Sequence, residues 1–219
     1  MTEKIDPFQA RLLKEECILV NDKDEIIGSA SKRDCHLISN INTGMLHRAF
    51  SVFLFDSQNR LLLQQRSQAK ITFPGLWTNT CCSHPLFTEI EKDGTLGVKN
   101  AACRRLRQEL GIQGISPSDL NLITRIIYKA GNENGGSDKW GEHEVDYILT
   151  LQKDVDLDVN PNEIQATSYI TNDQLSDFIK AHKVTPWFKI VSEAFLPNLW
   201  KSLSSVKLME DGVIHNFVR

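Results

Sequence analysis

The sequence predicts one α+β domain, a mixed sheet with flanking helices. Three observations lead there. The run AFSVFLF at 49–55 is apolar on both faces, as a central strand covered on both sides must be. The segment LGVKNAACRRLRQELG at 96–111 places Val98, Ala102, Leu106 and Leu110 four apart, the spacing of one buried helix face. The chain has 219 residues, 41% of them hydrophobic, with no repeat or second composition regime, so one large domain with a real core is the plainest arrangement.

Taken in order, CILVNDKDEIIGSASKR (17–33) reads as two strands about a turn at 21–25. HRAFSVFLFDSQNRLLLQQR (47–66) reads as a second hairpin, its strands 49–55 and 60–66 joined by DSQN. The helix over 96–111 ends at Gly111, where a left-handed cap belongs. Arg105 and Glu109 are then neighbours, four apart on one face. DLNLITRIIYKA (119–130) and WGEHEVDYILTLQ (140–152) read as strands around the loop GNENGGSDK (131–139). Beyond residue 170 the pattern turns helical, over 173–182 and again over 187–203, with Pro186 in the first turn of the latter.

Formal net charge is −3 and no basic block stands out, which argues against nucleic acid or an anionic membrane as a partner. No secretory, transit, spanning or lipidation pattern is visible, so a soluble cytoplasmic protein is expected. The five cysteines are Cys17, Cys35, Cys81, Cys82 and Cys103. An odd number without CxxC argues against a disulfide framework, a zinc ribbon or a thioredoxin-type site. Cys17 and Cys103 are expected to be packing residues.

Three groups of residues carry chemistry. In WGEHEVDY, strand alternation puts Glu142, Glu144 and Asp146 on one face and His143, Val145 and Tyr147 on the other. Those carboxylates either line a solvated edge, are held by a cation, or include one that keeps its proton. His36, His47 and His84 lie beside strand candidates or the TNTCCSHPL stretch (78–86). With Glu142 and Glu144 they would form a five-ligand nitrogen/oxygen site suited to manganese, magnesium, iron or zinc. His143, His182 and His215 are left out, the first by alternation and the others by polar helical or terminal contexts. Lys32, Arg66, Lys70 and Arg105 are either separate surface charges or a convergent grip on a polyanion such as a diphosphate.

The stretches TNTCCSHPL, LHRAFSVFLF, ITFPGLWTN, RRLRQELGI, WGEHEVDYIL and TPWFK resemble, in order, the type 1 isopentenyl-diphosphate delta-isomerases of the eukaryotic branch. The resemblance covers roughly residues 17 to 215. It implies a single Nudix-type α/β/α domain over 17–219 behind an N-terminal extension, 1–16. It also implies interconversion of isopentenyl and dimethylallyl diphosphate in isoprenoid biosynthesis. By position it assigns Cys82 as the catalytic thiol and Glu144 as the catalytic carboxylate. Tyr128 and Trp187 become active-site aromatics, and His36, His47, His84, Glu142 and Glu144 metal ligands. Glu109 would help hold a magnesium ion on the diphosphate, and Lys32, Arg66, Lys70 and Arg105 would bind the diphosphate itself. The implied cofactors are Mg2+ and a second divalent ion, Mn2+ or Zn2+, at the His/Glu site. The implied partner is a small-molecule diphosphate, and the protein is expected to be a monomer or weak dimer. Cys81 is then a packing residue.

A diphosphate hydrolase is the alternative, and a non-catalytic metal-binding module a third reading. Against the hydrolase signature G-x5-E-x7-R-E-U-x-E-E-x-G-U, the chain keeps Arg104, Leu106, Glu109, Gly111 and Ile112. It has Ile90, Leu96, Arg105 and Gln108 at four other positions, three of them metal-binding carboxylates in the signature. A helix without those carboxylates is better placed to grip a diphosphate than to cleave it. A thiol and a carboxyl on either side of an alkene can instead add one proton and remove another without a redox cofactor.

Overall fold

In a computed structural model of the chain, residues 5–132, 139–203 and 210–218 are described. Residues 133–138 of the expected 131–139 loop, and the first four residues of the expected extension, lie outside them. The centre is β3 (His47–Phe55), buried at every position. Its alternating side chains enter two different cores. Phe50, Val52 and Leu54 pack with Val98, Ala102, Leu106 and Leu110 of α4 (Gly94–Leu110). Phe53 and Phe55 pack with Phe188, Val191, Leu196 and Leu199 from α6 (Pro186–Ala194) and α7 (Leu196–Lys201). A sheet with apolar residues on both faces must be covered on both, and the result is the α/β/α layering that the resemblance implied.

One edge of β3 pairs in parallel with β8 (Gly141–Gln152), from His47 opposite Glu144 to Phe55 opposite Gln152. Beyond β8 lies β7 (Asn121–Gly131), antiparallel, with Tyr128 opposite Glu144. The other edge of β3 takes β6 (Cys81–Ser83), with Ser51 opposite Cys82, and touches β1 (Glu16–Val20) at Leu19 opposite His47. β1 continues to β2 (Ile26–Ser31) as the expected hairpin. Gly111 caps α4 at φ +69°. A Cβ there would sit 2.5 Å from the carbonyl oxygen of Asp158, so glycine is required by space as well as by φ.

Four expectations change. The 47–66 hairpin pairs only at Phe55 opposite Leu61, because both edges of β3 are taken. β4 (Leu61–Arg66) leaves to pair with β9 (Ile164–Ile170) and β5 (Trp77–Thr78). Lys32 is not a strand end. It opens the short α2 (Lys32–His36), capped by the Ser31 side chain, with α3 (Ile38–Asn42) following. The long C-terminal helix breaks at Phe195 ahead of Pro197, giving α6 and α7, since Pro cannot donate within a helix. His215 lies on β10 (Ile214–Asn216), a strand parallel to β7. α5 (Leu175–Ala181) falls within the helical reading of 173–182.

Candidate active site

Five ligand-bearing side chains arrive from four elements. His36 ends α2, His47 opens β3, His84 follows β6, and Glu142 and Glu144 sit two apart on β8. The parallel register puts His47 beside Glu144, and β6 carries His84 back along β3 toward the same point. All five are buried, and one ligand atom from each lies within 4.8 Å of the others. β8 is flanked by β7 and β3, so the solvated-edge reading of its carboxylates fails.

The polar bookkeeping inside this cluster is incomplete. His36 donates from Nδ1 to the Lys32 carbonyl at 2.6 Å, leaving Nε2 a lone pair aimed inward. His36 Nε2 and Glu142 Oε2 are 2.9 Å apart, yet neither makes a hydrogen bond. His47 Nδ1 and Nε2 and His84 Nδ1 are also buried without a partner. Among the described residues only Asp146 Oδ1 joins them in that state. Buried polar atoms left unpaired are costly, and three imidazoles and two carboxylates converging on one point suit a divalent cation. Burial and the nearby rings of His36 and His47 hold the His84 pKa well below its ordinary value, so it stays neutral and able to ligate. Burial also disfavours charge on His47, but Cys35 and then Glu144 and Glu142 outweigh it and raise its pKa to about 9.

Glu144 is the most connected member. It accepts from the Tyr128 hydroxyl at 2.6 Å, lies 2.7 Å from His84 Nε2, and has His47 Nε2 at 3.4 Å. Burial would raise its pKa, but His47, Tyr128 and His36 hold it below the usual carboxylate value. Asp146, one step further along the same face, is bonded only to Ser51 Oγ at 2.8 Å. Burial and the charge of Glu144 push its pKa well up. Of the three aligned carboxyls, two face the imidazoles, and the third is the one whose charge its surroundings disfavour.

Cys82, Tyr128, Trp187, Glu144, Lys32, Arg66 and Lys70 line one cavity. Burial pushes the Cys82 thiol up to about 12, against the pull of Arg66, whose guanidinium lies 3.5 Å from the sulfur. Trp187 stands between Phe73, Tyr128 and Arg66, with ring or guanidinium centres at 5.4, 5.9 and 5.5 Å. Lys32 has its pKa lowered by burial and then by Lys70 and Arg105, a crowding of like charge that an anion would relieve.

Arg105 and Glu109 are not on that wall. Arg105 donates to Glu109 at 2.6 and 3.0 Å and to Glu163 at 3.1 Å, and all three are buried. Glu163 also takes an ion pair from Lys70. Burial opposes its charge, but Lys70 and Arg105 hold its pKa well below the ordinary range. Cys81 is fully buried in the α4-side core, as expected of a packing residue, and Cys17 is fully buried as well. Cys103 is only half-buried against that core. His143 points away to the Met45 carbonyl.

Sequence reasoning missed Glu163, which has no periodic or motif signal. It also missed Gln9, Leu12 and Leu13, which line the cavity from α1 (Pro7–Leu12) and its C-cap. Gln9 is tied to Asn162 at 2.8 Å. Only tertiary packing reveals that contact, because residues 9 and 162 are far apart in the chain.

The NUDIX domain profile matches residues 45–190. The isopentenyl-diphosphate Delta-isomerase 1 of Bos taurus is 49% identical, covering 96% of this chain and 95% of its own length. The isopentenyl-diphosphate delta-isomerase of Schizosaccharomyces pombe is 48% identical over 96% and 94%. The chloroplastic isopentenyl-diphosphate Delta-isomerase II of Arabidopsis thaliana is 44% identical over 94% and 76%. A crystal structure from Deinococcus radiodurans superposes with a TM-score of 0.55 at 19% identity, over 83% of this chain and 99% of that one, and shares the fold.

Proposed function

The chain belongs to the isopentenyl-diphosphate delta-isomerases and interconverts isopentenyl and dimethylallyl diphosphate, and from that premise we propose that Cys82 and Glu144 are its two proton-carrying groups. One observation carries the reading: a protonated thiol and a hydrogen-bonded carboxyl line the same cavity, with cationic side chains also on its wall. The substrate has an unactivated alkene and no carbonyl. Moving its double bond therefore proceeds through protonation to a tertiary carbocation and loss of a different proton.

The diphosphate meets Lys32, Arg66 and Lys70. Arg105 acts from behind, through Glu163, which it shares with Lys70. The thiol of Cys82, protonated at neutral pH, carries one exchangeable proton. Glu144 handles the other, with the Tyr128 hydroxyl fixing one of its oxygens. The face of Trp187 stabilises the cation between them, by about 2 kcal/mol or more once water is excluded. Gln9, Leu12 and Leu13 help exclude that water, which would otherwise trap the cation as an alcohol. Residues 17–219 form the isomerase domain, and Gln9, Leu12 and Leu13 of the preceding segment cover its cavity.

A divalent ion on His36, His47, His84, Glu142 and Glu144 supplies fixed positive charge that lowers the proton affinity of Glu144 and holds its orientation. Imidazoles suit Zn2+ and carboxylates suit Mn2+, so the mixed set would take either, while Mg2+ would accompany the diphosphate. For Glu109 to meet that magnesium it must exchange its Arg105 partner. The protein is proposed to act as a cytoplasmic monomer or weak dimer. No described helix is long and apolar enough to cross a membrane.

The decisive assay incubates the purified protein with isopentenyl diphosphate and magnesium and follows both products. Dimethylallyl diphosphate should form without phosphate release. Stoichiometric phosphate with no allylic product would overturn the reading.

Metal binding should depend on pH with a definite sign. Metal-free His47 holds a proton below about pH 9, and a ligand must shed its proton to bind. Uptake of Mn2+ at pH 7.5 should therefore release about one proton per ion, and affinity should fall as pH is lowered toward 5. Calorimetry in buffers of different ionisation enthalpy reads the proton count. Uptake without proton release, equally tight at pH 5 and 8, would rule out this ligand set.

A further inference from the structure

We propose that Asn79 is a positioning residue that fixes the Trp187 ring against the strand carrying Cys82. The proposal rests on the reading of Trp187 and Cys82 given above. Asn79 sits in the link between β5 and β6 and is fully buried. Its Oδ1 accepts from Trp187 Nε1 at 3.0 Å and from Thr78 Oγ1 at 2.8 Å. Its Nδ2 donates to the carbonyls of Cys81 at 2.9 Å and Val52 at 3.1 Å. Both lone pairs and both hydrogens of the amide are used. The orientation follows from chemistry, since an indole N–H can only donate and a backbone carbonyl can only accept.

The two ends of this amide hold different parts of the site. Cys81 precedes Cys82, and Val52 is its partner on β3. Trp187 lies in the first turn of α6, which Thr185 caps. A second tie supports the same junction: Thr185 Oγ1 donates to Thr78 Oγ1 at 2.8 Å, and the Thr185 amide donates to the Trp77 carbonyl at 2.9 Å. Helix α6 and strand β6 are far apart in the chain, and the side chain of Asn79 bonds directly to both. A carbocation-stabilising ring must be held near its productive geometry, because small misplacements cost rate steeply.

A purely structural role predicts something different. An amide that only satisfied two carbonyls would matter equally whatever stood at position 187. The experiment is a double-mutant cycle on the metal-loaded enzyme, scored as kcat and KM per folded molecule, with Asn79→Ala, Trp187→Phe and both together. Asn79→Ala should lower kcat about tenfold or more in the native background with KM within about twofold. In the Trp187→Phe background it should cost no more than about threefold, because Phe has no N–H to hold. Equal losses in both backgrounds, with Trp187→Phe itself slow, would overturn the role of Asn79 alone. Full kcat in Trp187→Phe would show that a ring without the anchored N–H serves as well, and would overturn the positioning proposal. If Asn79→Ala does not fold, 3-benzothienylalanine at position 187 keeps the aromatic face and lacks the N–H. Its kcat should fall about tenfold, and an unchanged kcat would overturn the proposal.

Discussion

Cys82→Ala is expected to lose at least about 10³-fold in kcat, within the usual range for removing a proton-transfer group, while Cys81→Ala stays within about threefold of the native enzyme. The two sulfurs are adjacent in sequence and opposite in setting. Strand alternation turns Cys81 into the core beneath α4 and Cys82 toward the cavity, beside Arg66. Cys81→Ala removes one buried atom from a packed site, a cost of roughly 1 kcal/mol in stability that rate measurements on folded protein do not register. Cys82 also differs from a nucleophilic cysteine, which works as a thiolate with a lowered pKa. Its pKa is raised to about 12 by burial, so the thiolate fraction is small at pH 7 and grows with pH. Alkylation of Cys82 by iodoacetamide, mapped by peptide mass, should be slow at pH 7 and still rising at pH 10. A plateau near pH 7, or equal kinetic losses in the two alanine variants, would show that Cys82 is not the protonated partner.

The helix α4 shows how the fold parts company with hydrolysis. Ile90 and Leu96 are exposed where the hydrolase signature has Gly and Glu, at 70% and 53% of full accessibility. Arg105 stands where another Glu would be. It neutralises Glu109 through two hydrogen bonds. Positive charge is thereby brought to the helix that, in the signature, would gather magnesium around a phosphate about to be attacked.

What the sequence disclosed follows the range of the interactions involved. Alternation along 142–146 was legible because period two is a local property. It correctly placed Glu142, Glu144 and Asp146 on one face. The face of α4 was legible for the same reason, with its period near four. The two-residue β5 and three-residue β6 left no pattern to detect, and β9 and β10 owe their existence to partners far away in the chain. The splaying of β4 from β3 depends on β8 and β6 already occupying the edges of β3, which no local window contains. The meeting of His36, His47 and His84 is likewise a matter of register between elements. It was reached through the family resemblance, not through spacing. Asn79 and Glu163 act through side chains brought together by tertiary structure, and nothing local distinguishes them from turn residues.

The second large effect separates the two glutamates of β8. Glu142→Gln and Glu144→Gln should each weaken metal retention at least about tenfold, since each removes one anionic donor from the cluster. Their kinetics should diverge once metal is supplied in excess. Glu142 lines the same cavity and is paired with His36 at 2.9 Å, without the tyrosine hydroxyl that Glu144 holds. With saturating Mn2+, Glu142→Gln should return to within about tenfold of the native rate. Glu144 holds the Tyr128 hydroxyl at 2.6 Å and lines the cavity with Cys82. A glutamine there still accepts a hydrogen bond but neither gives up nor takes a proton, so the loss should stay at or above about 10³-fold at any metal concentration. Proton exchange offers a readout independent of the rate of net conversion. In deuterated water the native enzyme should incorporate solvent label into the substrate pool, and Glu144→Gln should not, even when its metal content matches that of Glu142→Gln. Equal recovery of the two variants by added metal would confine Glu144 to the metal site and remove it from proton transfer.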